Sequence, residues 1–138
     1  MSIDLISSAF DTYLGEFVTP LDIAWEGVVY VPTAGRPYLA PTMASYSRAP
    51  AGLGDNTLMV ESGAYSITVN WPVGQGKAPA LAVASALVAY FNRHVSFSLT
   101  SGRTVTINGA SAMAANEANG WLTVPVIVRW LSDEPETG

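Results

Sequence analysis

From Trp121 to Leu131 an apolar residue occupies every second position: Leu122, Val124, Val126, Val128 and Trp130. A period of two places all five on one face of an extended strand, so the chain must supply a layer to cover that face. A second run repeats the pattern, with Tyr65, Ile67, Val69 and Trp71 separated by Ser66, Thr68 and Asn70. That alternation predicts an antiparallel strand with one buried and one wet face. Two helical stretches provide the cover. Ile3, Ile6, Phe10, Tyr13, Leu14 and Phe17 recur at three and four, with Ser2 placed to cap and Asp4 in the first turn, and this helix is expected to end near Val18 before Pro20. Ala78 to Arg93 predicts the second helix, with Ala80, Val83, Ala84, Leu87, Val88 and Phe91 toward the core.

The remaining segments are shorter. Asp22 to Glu26 and Val28 to Val31 are β-prone pieces closed by Pro32 and the Gly35-Arg36-Pro37 turn, and Tyr38 to Tyr46 predicts a strand. Pro41 cannot donate to a ladder, which points to an edge position, a bulge or a shorter strand. Ser47 to Glu61 reads as a long connection that also carries Leu53, Leu58, Met59 and Val60. Val95 to Leu99 and Thr104 to Ile107 alternate around a turn at Thr100 to Arg103, as a hairpin does. A small-residue loop is expected from Asn108-Gly109 to Asn119-Gly120, and an unstructured acidic tail from Ser132 to Gly138. The expected fold is α+β, a mainly antiparallel sheet with both helices on one face, in a single domain over residues 1–131.

Composition narrows function. Charged residues are 12% of the 138 residues against 49% hydrophobic, about half the roughly 25% charge usual in a soluble domain. A surface so poor in charge suits a protein covered by partners. The six basic side chains, Arg36, Arg48, Lys77, Arg93, Arg103 and Arg129, are scattered in a chain of net charge −5, which excludes a phosphate-tracking stripe. With no cysteine and one histidine, His94, disulfides, thiolate nucleophiles and multi-histidine metal sites are excluded. No metal or cofactor is expected. The amino terminus does not read as a secretory signal, and Ala78 to Phe91 is well short of the roughly twenty residues that span a bilayer, so no membrane association is expected.

Catalytic motifs fail in detail. Gly74-Gln75-Gly76-Lys77 lies between strand and helix, where backbone amides can hold phosphate, but its spacing departs from the Walker loop, Ala78 follows the lysine, and Pro79 stands where a dinucleotide fingerprint needs glycine. It reads as a turn. His94 beside Ser96 and Ser98 offers a base and hydroxyls without a required geometry, and Gly109-Ala110-Ser111 lacks the second glycine of a nucleophile elbow. Asp4 and Asp11 are expected on the outer side of the first helix, while Asp22, Glu26, Asp55, Glu61 and Glu117 are dispersed. Two surfaces stand out instead. Ala82, Ser85, Ala86 and Ala89 form an uncharged helix face that either packs within the fold or meets a neighbouring subunit, and Trp121 points away from the Leu122 to Trp130 set, at an interface or under a loop.

Taken in order, several segments resemble the tail-terminator proteins of long-tailed phages, the family related to minor tail protein U. The likeness runs through Trp25-Glu26 with Val28, Tyr30 and Pro32, Gly35-Arg36-Pro37-Tyr38, Leu53-Gly54-Asp55 and Gly63-Ala64-Tyr65-Ser66-Ile67. It continues with Pro72, Gly74 and Gly76 before an alanine-rich helix ending at Tyr90-Phe91, and with Val124-Pro125-Val126. Asn92-Arg93-His94 and the acidic tail have no counterpart in that pattern. The resemblance implies a non-enzymatic virion protein at the tail-neck junction, a homo-oligomer, typically six-membered, that caps the tail tube, halts its polymerisation and presents a surface to a head-completion or neck protein. The major tail tube protein is then a partner, and DNA passes through the lumen without specific binding, in keeping with net acidity. Ring or tube contacts are expected at Leu53, Leu58 and Met59, with Asp55 and Glu61 setting polarity, and at Ala82, Ala86, Ala89 and Trp121. A head-tail connector is the alternative within the class, and a small hydrolase or ligand-binding domain using His94 lies outside it.

Overall fold

The structure, a computed structural model, describes residues 3–17, 21–28, 30–32, 35–50, 59–74, 76–92, 96–98 and 104–133. In chain order the elements are α1 (Ile3–Gly15), β1 (Asp22–Ile23), β2 (Tyr38–Pro50), β3 (Met59–Pro72), α2 (Ala78–Phe91), β4 (Ser96–Ser98), β5 (Thr104–Ala112), β6 (Asn116–Ala118) and β7 (Trp121–Asp133). One sheet runs β1-β2-β3-β7-β5-β4, with β6 also paired to β7. Only β1 against β2 is parallel. Both helices lie on the same face, so the α+β expectation holds.

The alternating strand supplies the floor of the core. Leu122, Val124, Val126, Val128 and Trp130 of β7 are buried, as are Tyr65, Ile67 and Val69 of β3, which pairs with β7 from Val60 to Pro72. From above come Ile6, Phe10 and Leu14 of α1 and Ala80, Ala84, Leu87 and Phe91 of α2, spaced three, four or seven apart. Phe10 is where the layers interlock. Its ring stacks on Tyr65 at 4.8 Å and approaches Phe91 at 6.3 Å and Trp130 at 6.4 Å, so one side chain of α1 touches β3, α2 and β7. The helices clasp each other directly. Tyr13 and Tyr90 stack at 4.2 Å, and each hydroxyl donates to the other's backbone carbonyl, Tyr13 at 2.9 Å and Tyr90 at 2.7 Å.

The sheet departs from expectation in several places. β2 continues to Pro50 and β3 begins at Met59, so the ends of the expected Ser47 to Glu61 loop are strand, with Ala49 opposite Val60 and Pro50 opposite Met59. Residues 51–58 lie outside the described residues. Pro41 is tolerated because of where its nitrogen points. The Leu39 carbonyl accepts from the Ala24 amide at 2.7 Å, so position 41, two residues on, also directs its backbone away from β3, toward the open side of β2. A bulge between Met43 and Ser45 then shifts the register. Gly63 faces that bulge, and a Cβ there would lie 2.2 Å from the Ser45 carbonyl oxygen, so only glycine lets the strands approach. Of the two β-prone pieces before Tyr38, Asp22–Ile23 forms a strand, and among the described residues of the second, Val28, Tyr30 and Val31, none is in a strand.

Beyond Ile107 the expected loop is largely strand. Asn108-Gly109 makes an irregularity between Ile107 and Ala110, β5 resumes to Ala112, and β6 forms a tight hairpin with β7. Asn119 and Gly120 both have positive φ, 54° and 83°, as a two-residue type I′ connection demands. β4 and β5 pair as the hairpin anticipated them, Phe97 opposite Val105, while its turn at 100–103 lies outside the described residues. α1 gives way after Gly15 to a tightened turn, with the Glu16 amide donating to Tyr13 and Phe17 to Leu14. The wet face of β3 is only partly wet, since Ser66 and Asn70 are buried. As a central strand, β3 has its outer face flanked by β2 and β7, whose Tyr38 and Thr123 stand opposite Asn70. At the far end β7 reaches Asp133, and Ser132, expected to begin the tail, is buried and donates to the Thr104 carbonyl at 2.9 Å.

Phe10→Ala should destabilise the domain by about 3–5 kcal/mol, the usual cost of truncating a fully buried phenylalanine, because the rings around it cannot all collapse onto the void. Denaturant unfolding of the variant checks this, and a loss below about 1 kcal/mol would contradict the central position given to that ring.

Candidate functional site

The residues expected at contacts are not gathered in one place. Leu53, Asp55 and Leu58 lie outside the described residues. Met59 opens β3 opposite Pro50, one position beyond the pairing of Val60 with Asp133, where the described part of β7 ends. Glu61 is a correction: it is fully buried on the core face of β3 and accepts a hydrogen bond from the Tyr46 hydroxyl, so it sets no surface polarity. Odd positions of β3 face the core, and Glu61 continues the series of Gly63, Tyr65 and Ile67. Ala82, Ser85, Ala86 and Ala89 are exposed on α2, so the fold does not bury that face. Trp121 is half-buried on the opposite face of the sheet, its ring edge-on to Tyr38 at 5.2 Å, with Tyr30 against Tyr38 at 5.0 Å.

The residues weighed for catalysis also separate. His94 lies outside the described residues, Ser96 is exposed on the edge strand β4, and Ser111 sits in β5 opposite Ile127. Asp22 is engaged by Arg36 at 3.1 Å and by the Tyr30 hydroxyl at 3.2 Å. Glu26 accepts from the Thr42 hydroxyl and, at 3.3 Å, from the Met43 amide. Asp11 is not on the outer side of α1 as expected. It is half-buried and accepts a hydrogen bond from Tyr65. Burial raises its pKa above the ordinary carboxylate value, the Tyr65 bond opposes that rise, and the nearby Glu26 charge adds to it. Burial, followed by the bond to Asp11, holds the Tyr65 phenol above its usual value. This pair ties α1 to β3 and is structural.

A different surface emerges at the end of the sheet where β3 hands over to α2. Val73, Leu81, Met113 and the rim of Leu122 line a hollow of about 570 Å³, with Lys77 on one wall and Glu117 on the other. Val73 is 44%, Leu81 38% and Met113 52% exposed, far more than large apolar side chains serving only a core. The turn at Gly74, Gly76 and Lys77, which sequence motifs had put forward as a phosphate loop, builds one wall. The hairpin of β6 and β7 builds the other, and the Met113 amide is held by the Pro125 carbonyl at 2.8 Å. On the margin beyond β2, Val31 is 78% and Val28 63% exposed. Two signals for this surface were available in the sequence: Leu81 falls outside the buried stripe of α2, and Met113 is the single large side chain between Ile107 and Trp121. Such a site offers apolar area and one charge of each sign, the chemistry of contact between macromolecules. Among the described residues no helix is long and apolar enough to cross a membrane.

Comparison with known proteins agrees with that geometry. A family model described as phage tail terminator protein matches residues 5–130. The chain belongs to the phage tail terminator family, a constituent of the phage tail, as the resemblance in its sequence had implied. No curated protein matches it. A solved structure known only by a sequence identifier superposes with a TM-score of 0.69 over 100% of this chain and 99% of that one, at 23% identity, and shares its fold.

The raised pKa of Asp11 gives a pH-dependent expectation. A carboxyl whose folded pKa lies above its unfolded value contributes stability that is complete below the unfolded pKa and is lost as pH rises through the folded one. Asp11→Asn keeps an acceptor for Tyr65 without the charge. Its melting temperature should exceed that of the parent near pH 7, and the difference should shrink toward about pH 3, where Asp11 is protonated. A variant that melts equally far below the parent at both pH values would refute the burial cost assigned to Asp11.

Proposed function

We propose that this chain terminates the phage tail: copies of it assemble into a ring, six in number, on the last ring of the tail tube, halt tube polymerisation and offer a surface to a head-completion or neck protein. The observation that carries this reading is the family match across residues 5–130. The surface is in keeping with it. The hollow is apolar but for one charge of each sign and the exposed α2 face is uncharged, and the arrangement works by shape, with no bond made or broken. Net charge −5 suits a ring that DNA must traverse without sticking, because like charge repels phosphate. The protein would then reside at the tail-neck junction of the virion.

Within this reading the β2–β3 hairpin is the element that meets the tube, through Leu53, Leu58 and Met59, with Asp55 setting its polarity. Ala82, Ala86 and Ala89 belong to contacts between copies, as does Trp121, packed on Tyr38 on the opposite face of the sheet.

Electron micrographs of tails made with and without the protein test the reading. Overlong tubes are expected in its absence, and tubes of unchanged length would overturn it. Leu58→Ser combined with Met59→Ser should leave the melting temperature within about 2–4 °C of the parent while abolishing tail docking; normal docking by the double variant would remove the hairpin from the tube contact.

A further inference from the structure

We propose that the hollow between α2 and β6 receives the Val31–Pro32 loop of a second copy of this chain, in a head-to-tail contact repeated around the ring. The inference rests on the ring reading above and adds which surfaces meet. Val31 and the hollow match in polarity: an apolar side chain 78% exposed, and a concavity lined by Val73, Leu81 and Met113. Their charges are complementary as well. The loop is bordered by the Asp22–Arg36 pair, whose side chains are 36% and 56% exposed, and the hollow by exposed Lys77 and Glu117. Seating the loop gives Arg36 a carboxylate partner in Glu117 and Asp22 an ammonium partner in Lys77, an exchange that selects one orientation.

Placement in the fold favours closure. β1 and the loop lie at the margin beyond β2, and β6 with the hollow lies on the far side of β7. Both stand at one level along the strands, because Tyr38 pairs with Asn70, Asn70 with Thr123 and Thr123 with Asn116. A contact between two different patches is heterologous, and it closes into a ring when successive copies rotate without rising. Patches at opposite margins and one level along the strands remove the step along the strand direction, one of the two requirements.

The chain has no cysteine, so engineered pairs report without background. Val31→Cys and Met113→Cys single variants, mixed and treated with a mild oxidant in the presence and absence of tail tubes, should give a disulfide-linked heterodimer that neither variant gives alone. The double variant should give a ladder that stops at the ring number. Leu81→Glu, at an exposed position, should retain the parent's melting temperature and lose at least tenfold in ring population by sedimentation. No heterodimer in either condition overturns the contact, as does capture of Met113→Cys by a tube or neck protein; rings persisting in the wild type would then show that the ring reading stands without it. A wild-type chain that is monomeric in solution and on tubes, with tube length unaffected by its absence, would overturn the ring reading itself.

Discussion

The fold depends on the aromatic junction at Phe10. Two helices separated by residues 16–77 must settle on one face of a sheet whose central strands, β3 and β7, are distant in sequence from α1. A single ring in contact with Tyr65, Phe91 and Trp130 satisfies all three requirements at once. The Tyr13–Tyr90 clasp fixes the helices against sliding, because each hydroxyl bonds the backbone of the opposite helix. With the helices pinned, the start of α2 is held at the end of β3, and that position shapes the hollow. Hollow and core are therefore coupled through α2: Ala80 and Ala84 point inward while Leu81 lines the hollow.

Much of this was legible in the sequence because it is periodic. Leu122 to Trp130, Tyr65 to Val69 and both helical stripes were assigned to the core by spacing alone, and from Ile6 onward all are buried or packed against it; the Ile3 side chain lies outside the described residues. What escaped notice depends on neighbours. Pro41 was the exception: it pointed to an edge position, a bulge or a shorter strand, and its backbone does face the open side of β2 just before a bulge. Ser66 and Asn70 looked wet because they are polar; their burial comes from flanking strands. β6 escaped because three residues of Asn, Glu and Ala carry no strand preference, and the positive φ of Asn119 and Gly120 creates the hairpin that recruits them.

The candidate surface was less legible than the fold. Its walls come from residues 73–81 and 113–122, which meet only once β7 has paired with both β3 and β6. Glu61 shows the converse error. In a proline- and glycine-rich neighbourhood a carboxylate reads as a surface group, yet the parity of β3 turns it inward to Tyr46. Exposed α2 alanines, by contrast, could be recognised from the absence of charge along the helix, although their partner could not.

Glu26 and Asn92 occupy equivalent situations at the two margins of the sheet. Glu26 takes the Met43 amide on the open side of β2, and the Asn92 side-chain amide both donates to and accepts from the Ala110 backbone on the open side of β5. Each side chain imitates one residue of a missing strand. Newly made subunits, crowded together before a virion exists, therefore find part of either rim already occupied, and runaway stacking of sheets into fibres is obstructed where an unguarded rim would invite it. Two polar side chains thus guard the rims at backbone groups that β1 and β4 do not reach.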